Sequence, residues 1–551
     1  MYVASSTGLY RTDNALNSVP TWTLLESGFF YDIEFKPGTN GQTIYASGRD
    51  IFVSDDYGAT WSSMNSGGYP NGVNYRIAIE VSPNDPSCLY ALCAGPTYLS
   101  DLWKYDGSAW ALESNIVSNW NDWAYSSSFL QNHVQSLCVS PTNASIVFLG
   151  NYYPIWKSTN NGSSGSWSNY GPDQYHADIH HVIYSPNGDL WTATDGGLWK
   201  STDDGATWTV KNDGLGVGTC YYMECSEAES EYVMTGNQDC GSNLLNTYNN
   251  TWLHNYGGDG QRPMINNFNS QYMYASAAGG YTRSLDHGYS FSGFSSGSSS
   301  WNQFGDLNNF NPSIIYYANN SEVVRRIDDH ANPTLSTNVT ISNLHSAFTG
   351  MTGYTIWDVY PSNADPNYLF VSAIKGWPSS SQPQRIFYTT NANDPNPSNI
   401  VWNEIPNIQN INQTYTWLSG IATDYENPDI IYLAFGSWGT DKVYWYDIPN
   451  NNYKNITFNL GSWGLGCIIL ENGSNHGLYI GSGNGVWYTN DFYQQNAPGS
   501  EWKHYNINLP NAYCNDIQIN YHSNTIRAAT FGRGVWESHL VCPPNYDLTV
   551  S

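Results

Sequence analysis

The chain has 551 residues, a formal net charge of −27 and only 12% charged residues, while aromatic residues reach 15%. So acidic a chain repels phosphate backbones, which argues against nucleic acid as a partner. It contains no run of about 18 apolar residues, so the sequence predicts no membrane span. Few charges with many aromatic, Gly, Asn and Ser residues are typical of an extracellular all-β protein.

A short strand followed by an S-x-D-x-G turn recurs along the chain. It is seen in "IFVSDDYGATW" (51–61), "LWKSTDDGATW" (198–208) and "YTRSLDHGYSF" (281–291). The Asp carboxylate can accept backbone N–H groups across the turn, and the Gly supplies a positive φ. We therefore predict a structural role for Asp56, Asp204 and Asp286. The Trp or Phe that follows is expected to pack between neighbouring sheets.

Units of this kind recur about every 40 residues, the length of one four-stranded propeller blade, and roughly twelve fit before residue 540. Single propellers close with about four to eight blades. The sequence therefore predicts two tandem β-propellers of about seven blades, over 1–295 and 296–540. The seam is placed at the Ser/Gly-rich "SGFSSGSSSW" (292–301). A single larger ring is the alternative.

Both ends of the chain look internal to a longer polypeptide. The opening "MYVASSTGLYRTD" already follows a strand pattern, so we expect a first blade that is incomplete. Residues 541–551 are interpreted as the start of a linker or of a following module.

Three metal-competent side chains alternate at "YHADIHH", where His176, Asp178 and His180 are spaced two residues apart. Side chains at i, i+2 and i+4 share one face of a regular strand. Asp carboxylates suit Ca²⁺, and mixed His and Asp ligands suit a transition metal. We predict that these three residues hold a divalent cation or orient catalytic carboxylates.

Three further carboxylates follow near expected strand ends. Asp195 lies in "ATDGGLW", Asp239 in "GNQDCGSN" and Asp259 in "NYGGDGQRP". Innermost strands of successive blades would bring such positions together at a propeller axis. A pair of carboxylates can act as general acid and base on a glycosidic bond. We predict Asp195, Asp239 and Asp259 as catalytic residues. Cation binding and structural capping of strand ends are the alternatives.

Aromatic residues cluster in four segments that are expected to be long loops. These are 118–129, 150–156, 372–384 and 436–446. Exposed Trp and Tyr rings can stack on sugars, whereas buried ones fill the interfaces between blades. The loops predict a glycan-binding face, with blade packing as the alternative.

The order H-x-D-x-H, T-D-G-G, Q-D-x-G and G-G-D-G, with the closing "IRAATFGRGVWES" (526–538), resembles a group of secreted Asp-box (BNR) repeat propellers. These Bacteroidota proteins are described as glycosyl-hydrolase-like or sortilin-like. Cys240 departs from the group, which usually has Asn there. The stretch around Asp195 also resembles, distantly, the tandem-propeller xyloglucanases, whose acid and base are two Asp on facing rings. A counterpart Asp in the second half is not evident.

The resemblance implies a secreted or cell-surface, carbohydrate-active propeller that acts on a polysaccharide or a cell-surface glycan. By this interpretation it is glycoside-hydrolase-like and belongs to a larger secreted protein. The alternative is a non-catalytic adhesion or scaffold propeller, with Ca²⁺ or another divalent cation as a candidate bound ion. Fold alone does not decide between the two.

Overall fold

The computed structural model describes residues 1–65, 76–94, 100–115, 135–150, 155–170, 176–226, 229, 231–277, 280–294, 304–376, 384–406, 408, 417–436, 441–491 and 501–541. These residues form twelve sheets, ten of four strands and two of three. Every sheet is an antiparallel meander of consecutive strands. The predicted all-β architecture is confirmed. The chain divides into two compact units, Met1–Leu215 (the N-terminal unit) and Gly216–Ser551 (the C-terminal unit).

The N-terminal unit holds five sheets. They comprise β1 (Tyr2–Ser5), β2 (Gly8–Arg11) and β3 (Thr23–Ser27); β4 (Phe30–Phe35), β5 (Ile44–Gly48), β6 (Ile51–Ser54) and β7 (Ser62–Ser63); β8 (Arg76–Val81), β9 (Leu89–Ala94), β10 (Ser100–Tyr105) and β11 (Trp110–Asn115); β12 (Ser136–Val139), β13 (Val147–Gly150), β14 (Trp156–Ser158) and β15 (Trp167–Asn169); β16 (Ile179–Tyr184), β17 (Leu190–Thr194), β18 (Gly197–Ser201) and β19 (Thr209–Val210). An apolar cluster joins each sheet to the next, as where Phe148 meets Ile179 and Val182.

The C-terminal unit holds seven sheets. They comprise β20 (Cys220–Cys225), β21 (Tyr232–Asn237), β22 (Gly241–Asn246) and β23 (Thr251–Tyr256); β24 (Met264–Ile265), β25 (Met273–Ala277), β26 (Gly280–Ser284) and β27 (Ser292–Phe294); β28 (Gly305–Leu307), β29 (Ile314–Asn319), β30 (Glu322–Ile327) and β31 (Thr337–Asn343); β32 (Tyr354–Pro361), β33 (Leu369–Lys375), β34 (Arg385–Thr389) and β35 (Trp402–Glu404); β36 (Leu418–Thr423), β37 (Ile430–Phe435), β38 (Val443–Asp447) and β39 (Asn452–Asn455); β40 (Leu465–Leu470), β41 (Leu478–Ser482), β42 (Gly485–Thr489) and β43 (Lys503–His504); β44 (Cys514–Asn520), β45 (Thr525–Thr530) and β46 (Gly534–His539). Short helical turns include α1 (Leu344–Ala347) and the 3₁₀ turns Pro333–Leu335 and Pro397–Asn399.

The seven sheets of the C-terminal unit close into a ring. First strands of neighbouring sheets contact one another, as β36 does β40, and β44 of the last sheet contacts β20 of the first. Between the second and third sheets, Met264 and Tyr281 pack with Leu307. Apolar side chains fill this closing interface, where Cys220 and Met223 pack with Ala529. The first strand of each sheet is therefore the innermost one, as in a seven-bladed propeller.

In most blades the second strand is buried on both faces, because its sheet lies between two others. Leu89–Ala94 is buried at all six positions, and Leu369–Lys375 at its first six. Such strands appear in the sequence as short continuous apolar runs, whereas a half-exposed strand would show alternation.

Tryptophans that immediately precede outer strands tie neighbouring blades together. The indole N–H of Trp208 donates to the carbonyl of Tyr170 in the preceding blade at 3.1 Å. The indole of Trp502 donates in the same way to Ile456 at 2.8 Å. The expected packing of Trp208 between blades is confirmed, and part of the high aromatic content serves these interfaces.

The S-x-D-x-G turns form as their chemistry predicts. Asp56 accepts the backbone N–H of Thr60 at 2.8 Å and its hydroxyl at 2.6 Å, and these bonds lower the pKa of Asp56 to about 2. Asp286 makes the same contacts with Ser290. In the third turn the prediction of Asp204 was wrong by one residue.

The capping residue of that third turn is Asp203, which accepts the N–H of Thr207 at 2.8 Å. Asp204 adopts a positive φ of 56°. Its carboxylate accepts the Tyr184 hydroxyl at 2.8 Å, and its backbone carbonyl accepts the Lys157 ammonium at 3.0 Å. Two adjacent Asp made the alignment of the turn ambiguous in the sequence.

The boundary between the units differs from the seam predicted between 295 and 296. The compact units divide at Leu215–Gly216. Ser292–Phe294, at the start of the predicted linker, forms the fourth strand of a blade. The sheets before and after residues 295–303 belong to the same ring, because the ring closes with the seven sheets that begin at β20.

Ring closure is expected to depend on Asp516. Its carboxylate accepts the N–H of Ile517 at 2.8 Å and the N–H of Met223, in the first blade, at 2.9 Å. Removing the acceptor from two enclosed N–H groups should destabilise the fold by about 2 kcal/mol or more. We therefore expect Asp516→Ala to lower the midpoint of chemical unfolding, and Asp516→Asn to have a smaller effect. The exposed Glu426 supplies the control, Glu426→Ala, and equal midpoints for all variants would contradict this role.

Candidate functional site

A β-bulge recurs near the start of the innermost strands. The extra residue lies between two regular pairs, as His180 does between the pairs Ile179–Thr194 and His181–Ala193. The residues inserted in this way are Tyr31, His180, Tyr221, Trp357, Ser419, Gly466 and Asn515. A bulge bends its strand and re-aims the inserted side chain, and bulges are common beside binding sites.

The prediction that His176, Asp178 and His180 share one face of a regular strand was wrong. The strand begins at Ile179, so His176 and Asp178 precede it. Asp178 adopts a positive φ of 58°, and His180 is the bulge residue. The two-residue spacing therefore does not correspond to the alternation of a strand.

The structure nevertheless joins part of this group to Asp195. The Nε2 atom of His180 lies 2.6 Å from Oδ1 of Asp195, with both side chains partly exposed. Carboxylate oxygens of Asp178 and Asp195 lie within 4.8 Å of each other. The hydrogen bond with Asp195, and further the charges of Asp195 and Asp178, raise the pKa of His180. Two carboxylates and an imidazole thus form one polar cluster.

His176 has a packing role beside the T-D-G-G turn. A side chain on Gly196 would place its Cβ atom 2.3 Å from Cβ of His176, so only glycine fits there. Asn212 holds the same turn, because its amide accepts the N–H of Leu198 and donates to the carbonyl of Gly196, both at 2.8 Å. The two glycines of the motif are explained by these close approaches, and Asp195 is placed by the turn they make.

Asp239 and Asp259 lie in the C-terminal unit and contact each other. Oδ1 of Asp259 accepts the backbone N–H of Asp239 at 2.9 Å, and Asp239 adopts a positive φ of 56°. A Cβ atom on Gly260 would lie 2.2 Å from the carbonyl of Gly241, so the G-G-D-G segment fits closely against the turn before β22. Asp259 therefore has a structural function in holding this turn.

A cavity of about 500 Å³ opens at the axis of the C-terminal ring, at the N-terminal ends of the innermost strands. Its wall is mostly aromatic, with a few amide and hydroxyl groups. The lining residues are Tyr221, Tyr222, Gln261, Phe304, Trp357, Asp358, Trp417, Leu418, Ser419, Gly466, Tyr513, Asn515 and Phe531. Gln261 of this wall follows Asp259 by two residues. Burial, and further the charges of Asp259 and Asp239, raise the pKa of Tyr221 in the same wall.

An ion pair lies beneath the aromatic wall. The guanidinium of Arg262 donates two hydrogen bonds to the carboxylate of Asp358, at 2.7 and 2.8 Å. Its Cζ atom lies 4.8 Å from the ring centroid of Tyr222 and 5.5 Å from that of Phe304. This bidentate pair neutralises the floor of the cavity.

Acidic residues continue along the axis towards a second cavity of about 210 Å³, at the opposite end of the innermost strands. Asp306 and Asp516 line this cavity together with Glu224. Burial raises the pKa of Asp306 to about 7 and that of Asp516 to about 6. Desolvation disfavours a carboxylate even when backbone N–H groups contact it.

These axial carboxylates were missed in the sequence, although a signal was present. An Asp followed by Ile, Val or Leu recurs early in the innermost strands, at Asp32, Asp306, Asp358 and Asp516, and each accepts the N–H of the next residue. Aligning the blades on this Asp would have found them. In the N-terminal unit, Asp32 also accepts the N–H of Ile79 from the next blade at 2.9 Å.

The four aromatic segments predicted as glycan-binding loops lie largely outside the described residues. Residues 118–129 fall there completely, as do 151–154, 377–383 and 437–440 of the other three. The aromatic wall that the structure does describe comes from innermost strands and the residues next to them, such as Trp357 and Trp417.

Comparison with known proteins shows the fold. No protein-family model and no curated protein matches the chain. A GH74 xyloglucanase of Xanthomonas campestris is similar in structure, with a TM-score of 0.61 and 14% identity over 98% of this chain and 81% of that one. The GH74 enzyme of Niastella koreensis has a TM-score of 0.57 and 14% identity, over 97% of this chain and 79% of that one.

PorZ, a surface component of the type-IX secretion system of Porphyromonas gingivalis, is also similar, with a TM-score of 0.53 and 14% identity. The likeness covers 97% of this chain and 71% of PorZ. At such identities the comparisons establish the tandem β-propeller architecture. Every helix among the described residues is too short or too polar to cross a membrane.

We expect Asp195→Asn to lower the pKa of His180, because the carboxylate that favours the imidazolium is replaced by a neutral amide. The pKa can be read by NMR titration of histidine-labelled protein, with the His180 signal assigned from its loss in His180→Gln. His504, which contacts a backbone carbonyl, is the internal control. An unchanged His180 pKa would contradict the pairing.

Folding stability is expected to fall as pH rises from about 4 towards 7, because Asp306 binds its proton more tightly in the folded protein than in the unfolded chain. Asp516 contributes in the same direction. Asp306→Asn should make the melting temperature less dependent on pH between 5 and 8, whereas Glu426→Gln should not. A variant with the same pH dependence as the parent would show that Asp306 is not the titrating group.

Proposed function

We propose that this protein is a secreted or cell-surface β-propeller that binds a polysaccharide or cell-surface glycan in the axial cavity of its C-terminal unit. The observation that carries the proposal is the cavity itself, with its aromatic wall and few polar groups. Binding sites for small ligands are typically concave, largely apolar and furnished with a few oriented polar groups. A sugar presents the complementary surface, with C–H faces for the rings and hydroxyls at its edge.

The aromatic rings are held in place, which favours ligand stacking. Phe304 contacts Trp357 edge-on, with ring centroids 5.4 Å apart, and Tyr222 at 5.2 Å. The ring of Phe531 at the cavity mouth is 46% exposed and lies 6.1 Å from that of Tyr221. Rings held by their neighbours lose little conformational freedom when a ligand binds.

The electrostatics favour an uncharged sugar chain. Within the described residues, the lining holds one charged side chain, Asp358, and its charge is matched by Arg262. A uronate or sulfate group would find no cationic partner in this wall, and the chain carries a net charge of −27. Burying an unpaired anion is costly, so acidic polysaccharides should be rejected.

Glycoside hydrolysis is the second candidate, and the cluster around Asp195 favours it. Carboxylate oxygens of Asp178 and Asp195 lie within 4.8 Å of each other, and His180 contacts Asp195 at 2.6 Å. Carboxyl groups about 5–5.5 Å apart are typical of retaining glycosidases. Asp239 and Asp259 stay candidates because they lie beside the cavity, although the contact of Asp259 with the Asp239 N–H favours a structural role. The cluster also suits Ca²⁺ or another divalent cation.

The neighbours in structure are compatible with this proposal. The GH74 xyloglucanase is named for its action on a polysaccharide, and PorZ is named as a bacterial surface component. We propose the same kind of environment for this chain, as part of a larger secreted protein.

Binding is tested by titrating the whole protein with xyloglucan, linear β-1,4-glucan, xylan and mannan, and with homogalacturonan as the acidic probe. We expect saturable binding to at least one neutral polysaccharide and none to homogalacturonan. Phe531→Ala should weaken that binding by at least about tenfold, because an aromatic residue at the mouth is a typical hot spot. Trp536→Ala is the matched control, since Trp536 is 39% exposed in the same sheet and does not line the cavity.

Absence of binding to every probe, or equal losses in Phe531→Ala and Trp536→Ala, would overturn the proposed site. Product analysis on the polysaccharide that binds then separates the two candidates. Release of oligosaccharides that is abolished by Asp195→Asn, with binding retained, would establish hydrolysis. The same comparison for Asp178→Asn, Asp239→Asn and Asp259→Asn, with and without EDTA, assigns the remaining carboxylates and any cation.

A further inference from the structure

The β-bulges and the axial cavity coincide in the C-terminal unit. In five of its innermost strands the inserted residue lines the cavity wall. These residues are Tyr221, Trp357, Ser419, Gly466 and Asn515. The ladder pairs regularly on both sides of each insertion, so the side chain at the bulge can vary without changing the register of the blade.

We propose that the bulge residues of the innermost strands determine which sugar the cavity accepts. This inference rests on the proposed function, because it assigns specificity within the same cavity. The inserted residue contacts the ligand, and in two of the five strands the residue after it holds the ring. Asp358 and Asp516 occupy that following position and bond to Arg262 and to the N–H of Met223.

The order of the bulges around the ring divides the wall into two kinds of surface. Ser419, Gly466 and Asn515 lie on three consecutive sheets and form a small, polar arc. Trp357 lies on the sheet before this arc and Tyr221 on the sheet after it. A sugar ring can stack on either aromatic residue while its hydroxyls reach the polar arc.

The two polar members of the arc are fixed by contacts within the ring. The amide of Asn515 donates to the carbonyl of Cys220 at 2.7 Å, which leaves its Oδ1 as an acceptor for a ligand hydroxyl. The hydroxyl of Ser419 donates to the carbonyl of Ala434 at 3.1 Å, so its oxygen can also accept. Groups held in one orientation discriminate between sugars that differ in the direction of one hydroxyl.

Gly466 keeps the middle of the arc open. A Cβ atom there would lie 2.2 Å from the carbonyl oxygen of Cys514 and 2.9 Å from Cα of Asn515. The close approach of the next blade therefore excludes any larger residue. The depth of the arc is set by blade packing, while its chemistry is set by Ser419 and Asn515.

The test measures dissociation constants of cellohexaose, xylohexaose and mannohexaose for the whole protein by calorimetry. All three are β-1,4-linked; relative to the glucose unit, mannose inverts one hydroxyl and xylose lacks the hydroxymethyl group. Trp357→Ala should weaken every oligosaccharide that binds by at least about tenfold, and Trp357→Phe should restore much of the loss. Ser419→Ala removes one hydrogen-bonding group, so it should change the ratio of two dissociation constants by about fivefold. Melting temperatures exclude unfolding as the cause.

Tyr31→Ala is the matched control, because Tyr31 is the bulge residue of β4, is 38% exposed and does not line this cavity. It should leave all three constants unchanged. Two results would overturn this inference and leave the proposed function intact, provided that the parent protein binds. One is an unaltered ratio of dissociation constants in folded Ser419→Ala, and the other is an unaltered affinity in folded Trp357→Ala. Failure of the parent protein to bind any of the oligosaccharides or polysaccharides would overturn both.

Discussion

The C-terminal ring depends on carboxylates near its axis that bond different blades to each other. Asp516 makes the closing contact, because its oxygens accept the N–H of Ile517 in its own strand and the N–H of Met223, 293 residues away in sequence. A bulge immediately precedes this residue, so the irregular ladder and the carboxylate occur together. The same pairing of bulge and Asp at Asp358 places a carboxylate against Arg262. A polar axis inside an apolar ring is stable only because each of these groups has a partner.

This arrangement explains why the cavity is available for a ligand. The axial Asp residues and Arg262 satisfy one another and the backbone below the cavity, while the bulge residues one position earlier line its wall. In β32 and β44, the residue that lines the cavity and the residue that makes the axial contact therefore occupy adjacent positions of the same strand. The charges are matched at the floor, and the aromatic rings above it supply a surface on which a neutral sugar can stack.

The cluster of Asp178, His180 and Asp195 in the N-terminal unit has a different character, because it combines carboxylates with an imidazole and is suited to proton transfer or to a cation.

Much of the fold could be predicted from the sequence, because propeller blades are local structures. The strands around Trp199, the S-x-D-x-G turns and the interblade position of Trp208 follow from residues within about 40 positions of one another. The unit boundary could not be predicted in this way, because it depends on which two sheets close the ring, and the contact of Asp516 with Met223 has no local signature.

The site was partly predicted. Asp195 and His180 do meet, but the assumed regular strand was wrong, since a bulge and the positive φ of Asp178 are tertiary features. The axial Asp residues form a repeat in the sequence, but each is the single Asp of its strand and is followed by an apolar residue, so no polar cluster marks them.

The axial cavity of the C-terminal unit is the glycan-binding site that we propose. A crystal structure of the protein with the neutral oligosaccharide that binds most tightly tests this most directly. We expect sugar density within the cavity, with a ring stacked on Trp357 or Tyr221 and a hydroxyl within hydrogen-bonding distance of Ser419 or Asn515. An oligosaccharide bound elsewhere on the protein, with the cavity empty, would contradict it.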